Sequence, residues 1–183
     1  DIALTKTRQR LERKITEILF TIDEKIELNN KINAELETLA KTIYDYWFVQ
    51  FEFPDENGKP YKSNGGDMVY NEKLRREIPV GWRNGKFEDL IVISNGRDHK
   101  SLSDGTIPVY GSGGIMRYVD TSIYSSESVL IPRKGTLNNI IYINEPFWTV
   151  DTMFYTIMKQ PHTAKYVFYS INHYDFTVLN TGT

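Results

Sequence analysis

Residues 22–54 read IDEKIELNNKINAELETLAKTIYDYWFVQFEFP, and this stretch decides the architecture. Its apolar residues return every three or four positions, the spacing that lines one face of an α-helix. Going back along the chain, Leu11, Ile15, Ile18, Ile22 and Ile26 extend the seam. Going forward, it passes through Asn29 and Asn33 to Leu36, Ala40, Ile43 and Trp47, while Leu28, Ile32 and Leu39 widen it. No Pro or Gly interrupts Thr5–Phe51, and helix formers dominate. The predicted helix is a rod of roughly 70 Å. Such a rod cannot bury its own stripe and requires a second helix. The repeated four-residue step at Ile22–Ile26 is a coiled-coil stutter, and asparagines in a seam commonly set register. At its end, Tyr44, Tyr46, Trp47, Phe48, Phe51 and Phe53 supply more apolar area than a coil needs. Ile22, Ile26, Leu36, Ile43, Trp47, Phe48 and Phe51 are therefore the candidate partner surface.

Past residue 52 the grammar changes. Pro54, Gly58, Pro60, Gly65 and Gly66 punctuate a connector over 53–78, in which Asn71–Glu77 is expected to form a short helix. From 79 to 183, short β-rich runs alternate with turns: Phe87–Ile93, Thr106–Tyr110, Ser128–Pro132, Asn139–Ile143 and Phe154–Met158. Thr163–Ile171 is predicted to be a helix with Val167, Phe168 and Ile171 inward. The fold class expected is α+β, a long coiled-coil-type helix over 1–52 followed by a mixed α/β domain.

Composition excludes several functions. With no cysteine there is no disulfide, thiol nucleophile or Cys-ligated zinc. No apolar run is long enough to cross a bilayer, so a cytoplasmic protein without membrane contact is expected. The net charge is −2, and no segment is basic: 8 basic and 10 acidic residues in 1–52, 5 and 5 in 53–78, and 9 and 9 in 79–183. Nucleic-acid affinity, if present, must come from a local cluster or from partners. Asn144-Glu-Pro-Phe147 is one residue from an adenine-methyltransferase motif but follows no glycine-rich cofactor loop. Asp55 with Asp98-His-Lys100 only loosely mimics a metal nuclease. His99, His162 and His173 lack metal-ligand spacing. A non-catalytic chain is expected.

The segments IDEKIELNNKIN, LETLAKTIYDYWFVQFEFP and GKPYKSNGG, continued by Glu77-Ile-Pro-Val-Gly-Trp82, closely resemble the central spacer of specificity subunits of Type I restriction–modification enzymes. The resemblance implies that 1–52 is a spacer helix and 79–183 a target-recognition domain, C-terminally incomplete because Leu179–Thr183 resembles only the start of a closing segment. It implies double-stranded DNA and modification (methyltransferase) subunits as partners, with the restriction subunit engaged indirectly. The second helix would come from another copy or from a missing segment. S-adenosylmethionine, Mg²⁺ and ATP would belong to partner subunits, so no cofactor is assigned here. Without the resemblance, periodicity alone favours reading the stripe as a generic coiled-coil assembly module with no direct DNA role.

Two segments carry the DNA expectation. Tyr110-Gly-Ser-Gly-Gly114 follows a predicted strand. Its residues Gly111, Ser112, Gly113 and Gly114 form either a plain hairpin turn or a loop bringing backbone amides to DNA. Ile131-Pro-Arg-Lys-Gly-Thr-Leu-Asn-Asn139 places Arg133, Lys134, Gly135, Thr136, Asn138 and Asn139 beyond a strand end. Arg matches guanine, Asn matches adenine and Lys takes phosphate. Read alone, a basic pair such as Arg133-Lys134 is usually a solvated turn. The resemblance favours DNA contact at both segments; Arg97, Lys100 and Arg117 are weaker candidates, each read alone as surface charge rather than readout. The aromatics from Tyr142 to Tyr174 are read as packing rather than a base-stacking platform.

Overall fold

The predicted rod is helix α1, Ile2–Tyr44, and it gives way to a π-helical turn at Asp45–Val49. The Gln50 amide donates to Asp45 O at 2.9 Å, a five-residue step that accommodates the crowded Tyr-Trp-Phe run. Phe51 then adopts φ +65 and the Glu52 amide returns to Tyr46 O, which terminates the helix in the left-handed geometry usually given to glycine. Apart from the half-buried Ala40, the stripe faces solvent: Leu11, Ile22, Leu36 and Ile43 are 59%, 47%, 56% and 42% exposed. Thr16, Thr21, Thr38 and Thr42 satisfy their hydroxyls on carbonyls one turn back. This computed structural model describes the backbone of residues 2–174 and the side chains of residues 8–174, so Leu179–Thr183 lies outside the described residues.

The chain divides into two units at Asp67/Met68, inside the expected connector. In the first unit the helix leads into a tight loop in which the Phe53 and Tyr61 rings stack at 4.7 Å. Asp55 Oδ1 accepts the Asn57 and Lys59 amides, which closes the turn containing Gly58. Glu52 accepts both the hydroxyl and the amide of Ser63. Gly66 is required by close approach, because a Cβ there would sit 2.5 Å from the Tyr61 ring.

The second unit opens with an antiparallel hairpin, β1 Met68–Asn71 and β2 Arg76–Pro79. This corrects the short helix expected over Asn71–Glu77. The Asn71 carboxamide captures the Lys73 and Leu74 amides, and Arg75 at φ +50 completes a turn that a helix cannot share. The strand expected over Phe87–Ile93 is likewise split into a helical turn, α2 Phe87–Leu90, and strand β3 Ile91–Asn95. Asp89 accepts the Lys86 amide at 2.8 Å and winds that first turn.

There follow β4 Asp104–Gly111, β5 Gly114–Val119, β6 Ser128–Pro132, β7 Ile141–Ile143, β8 Trp148–Thr149, β9 Met153–Met158 and helix α3 Ala164–Asn172. One sheet is antiparallel in the order β3-β9-β6-β7; the other runs β5-β4-β8, with β4 and β8 parallel. Strand β6 is buried on both faces, and its alternation builds two cores. Leu130 joins Val109, Val119, Phe147, Trp148 and Met153 in one cluster, drawn from both sheets. Val129 and Ile131 turn the other way, toward Ile91, Val167 and Ile171, where α3 covers the four-stranded sheet. Beside them the buried Ser128 and Thr156 side chains replace ladder bonds. The Val129 amide donates to Thr156 Oγ1 at 2.8 Å and the Ser128 hydroxyl to Thr156 O at 2.7 Å. The fold is therefore a long helix followed by a mixed α/β domain.

Candidate nucleic-acid interface

Strands β4 and β5 pair Gly111 with Gly114, so Ser112-Gly113 is a two-residue hairpin turn. Gly111 keeps the turn close to the sheet: a Cβ there would meet Met116 Sδ at 2.6 Å. The loop after β6 meets this turn from 20 or more residues away in sequence. Asn139 Nδ2 donates to Ser112 O at 2.7 Å. Gly135, at φ +82, lies so near that a Cβ would sit 2.5 Å from Ser112 Oγ, so another residue there would be strained in its backbone and would push the Ser112 hydroxyl aside. The two segments singled out in the sequence are thus neighbours at one end of the domain.

Arg133 starts the loop, and its own contacts are intramolecular. Its amide donates to Thr152 O at 2.8 Å and its Nη1 to Asp151 O at 3.2 Å, while the guanidinium carbon lies 4.9 Å from the centre of the Phe154 ring. A longer approach, 3.4 Å, links Nη1 to Asn95 Oδ1. Lys134, Gly135 and Thr136 are exposed, whereas Leu137 turns inward and lines an apolar groove with Phe87, Ile91 and Phe154.

A third segment completes the site. The Arg97 amide donates to Thr149 O and the Arg97 carbonyl accepts Trp148 Nε1–H, each at 2.9 Å. This holds Asp98–Lys100 against a cleft of about 600 Å³ lined also by Ser112, Gly113, Ile115, Met116, Asp151 and Thr152. Asp98 Oδ1 accepts the Lys100 amide, which aligns the turn. His99 Nδ1 is buried without a hydrogen-bond partner among the described residues. Arg117 stands apart: it is paired with Asp104 at 2.7 Å and donates to Leu102 O, so its charge is spent on bracing β4 and β5. Among the described residues, Arg97, Lys100 and Lys134 make no ion pair within the chain.

Asn95, Asp151 and Thr152 belong to this site but were not apparent in the sequence. Asn95-Gly96 and Asp151-Thr152 look like ordinary turns, and only the pairing of β9 with β3 and β6 brings them to the loop. In the helix unit, Ile22, Ile26, Leu36, Ile43 and Trp47 face solvent, Phe48 is half-buried and packs against Tyr44 at 5.3 Å, and Phe51 is buried. Among the described residues there is no cluster of three or more metal-ligating side chains and no helix long and apolar enough to cross a membrane.

No protein-family model matches the chain. The Type I restriction enzyme MjaIX specificity subunit of Methanocaldococcus jannaschii is 33% identical over 85 residues, 46% of this chain and 18% of that protein. The HindI specificity subunit of Haemophilus influenzae is 37% identical over 51 residues, 28% of this chain and 11% of that protein. A crystal structure of the Type-I restriction-modification system S subunit from M. genitalium aligns with a TM-score of 0.48 at 16% identity, covering 81% of this chain and 35% of that one. The matched stretches span less than one fifth of the curated relatives. Over them, the chain is a sequence relative of the specificity subunits of Type I restriction enzymes.

Proposed function

We propose that this chain serves sequence-specific recognition of double-stranded DNA within a Type I restriction–modification complex. In this reading the 79–183 domain is a target-recognition domain, and residues 1–52 are a spacer helix that docks modification subunits. The chain itself is non-catalytic and cytoplasmic, and it directs methylation and restriction by its partner subunits. The single observation that carries the proposal is the convergence of Arg97–Lys100, Gly111–Gly114 and Lys134–Asn138 on one end of the domain. Exposed cations, turn amides and small polar side chains there match what phosphates and base edges take.

The competing reading is a coiled-coil assembly module with no DNA role. It draws support from the net charge of −2 and from the loss of Arg117 to an internal ion pair. A salt series on duplex DNA separates the two. Phosphate contacts make affinity fall steeply with salt, and Lys134→Ala should lower the slope by roughly one ion while keeping base preference. A wild-type affinity that ignores salt and sequence would favour the assembly module.

A further inference from the structure

The loop 133–139 is fastened at both ends and exposed in the middle, and this suggests which of its residues touch a ligand. Resting on the DNA reading above, we infer that Arg133 and Asn139 are positioning residues that lock the loop to the Ser112-Gly113 turn and to Asp151-Thr152. Lys134 and Thr136, with the exposed Asn138 beside them, are then the residues presented to DNA.

Three observations carry this. The Asn139 carboxamide is committed to Ser112 O at 2.7 Å across 27 residues of sequence, and this contact is half-buried. An Asn reading adenine needs that same Nδ2–H together with its Oδ1. The Arg133 guanidinium is laid over Phe154 with Nη1 on the Asp151 carbonyl, while its backbone amide is tied to Thr152 O. Leu137 is drawn into the apolar groove between the two anchors. Leu137 and Asn139 are half-buried, the exposed Arg133 is held along the domain surface by Phe154 and the Asp151 carbonyl, and Gly135 is seated against Ser112 at φ +82. Lys134 and Thr136 are therefore the exposed side chains between the anchors, with Asn138 exposed beside them. The two loops form one rigid element, and the order imposed before binding lowers the entropic cost of engaging a base pair.

Asn139→Asp is nearly isosteric and removes the Nδ2–H donor. Arg133→Lys keeps the charge and removes the planar fork. The full chain and both variants would be used to select from a pool of randomised duplexes, at several salt concentrations. Both variants are expected to lose about tenfold in the ratio of best to average sequence, at every preferred position together, with the wild-type salt slope and melting temperature retained. Thr136→Ala should instead lose preference at one base pair. Amide hydrogen exchange without DNA supplies a second readout: Asn139→Asp should speed exchange in residues 112–114 and 134–138 together while β9 stays slow. Preference intact in Asn139→Asp, loss at a single base pair in Arg133→Lys, or exchange that changes in only one of the two loops overturns the inference. A wild-type chain with no preference overturns the DNA reading instead, and the locking of the two loops is then decided by exchange alone.

Discussion

Phe51 shows two residue-scale effects in opposition. Its backbone sits at φ +65, where a non-glycine residue costs about 1–3 kcal/mol, yet its ring is buried, and truncating a buried Phe costs about 3–5 kcal/mol. Packing wins, which is why the chain tolerates the strain. Phe51→Ala is expected to destabilise the helix end, and Phe51→Gly to be no worse despite losing one more methyl, because glycine relieves the backbone. Urea midpoints of the two variants check this; a clearly less stable glycine variant would mean the backbone relaxes once the ring is gone. Tyr142 is a second case. Burial, and then the 2.6 Å hydrogen bond it donates to Glu127, lift its phenol to about 12. The folded value lies above the ordinary 10.0, so the stabilisation is complete below that pH and is lost as pH rises toward 12. The wild-type urea midpoint should therefore fall more steeply over that window than that of Tyr142→Phe; parallel curves would show that the Glu127 contact is not maintained. At the other end of the scale, the Ser63 hydroxyl and the Lys59 amide hold the Glu52 and Asp55 carboxyls below their usual range. Whatever these contribute is lost as pH falls.

At the scale of elements, α1 is the component whose structure implies a partner. A solvated helix of 43 residues with an apolar stripe interrupted only at Asn29 and Asn33 gains its stability from a second helix, since propensity alone contributes little. Ile22 and Ile43 are 47% and 42% exposed, so replacing both by Asp removes almost nothing from the single chain. In a paired coil the same change buries two charges in an apolar seam. Ile22→Asp with Ile43→Asp should therefore abolish self-association, read as molar mass by light scattering, and make helicity low at all concentrations. A wild-type monomer with an intact helix at high micromolar concentration would exclude pairing between copies. The hairpin β1–β2 and the α2–β3 junction show why element boundaries within 53–95 were poorly legible: a single carboxamide (Asn71) and a single carboxylate (Asp89) captured amides and overrode the local pattern.

At the scale of the whole molecule, both hydrophobic clusters draw their residues from Phe87 to Ile171, so the second unit owns a complete core. Deleting residues 1–67 is expected to leave a cooperatively melting domain that no longer self-associates. A domain that loses its thermal transition would show that its stability depends on the helix unit. The sequence by itself determined the helix, its solvent-facing seam, strand β6 and helix α3, because each follows from a period of residues within one element. It also marked Gly111–Gly114 and Arg133–Asn139 as segments suited to a ligand, from residue type alone. Tertiary structure decided what those segments are to each other: that they touch, that Asn139 is committed to Ser112 and Arg133 to Asp151, and that Arg117 pairs with Asp104. It also recruited Asn95, Asp151 and Thr152. The physical reason is distance along the chain. A helical or strand period records only whether a side chain meets a core. Which turn it meets depends on the register of strands paired across 21 to 67 residues, and no local pattern encodes that register.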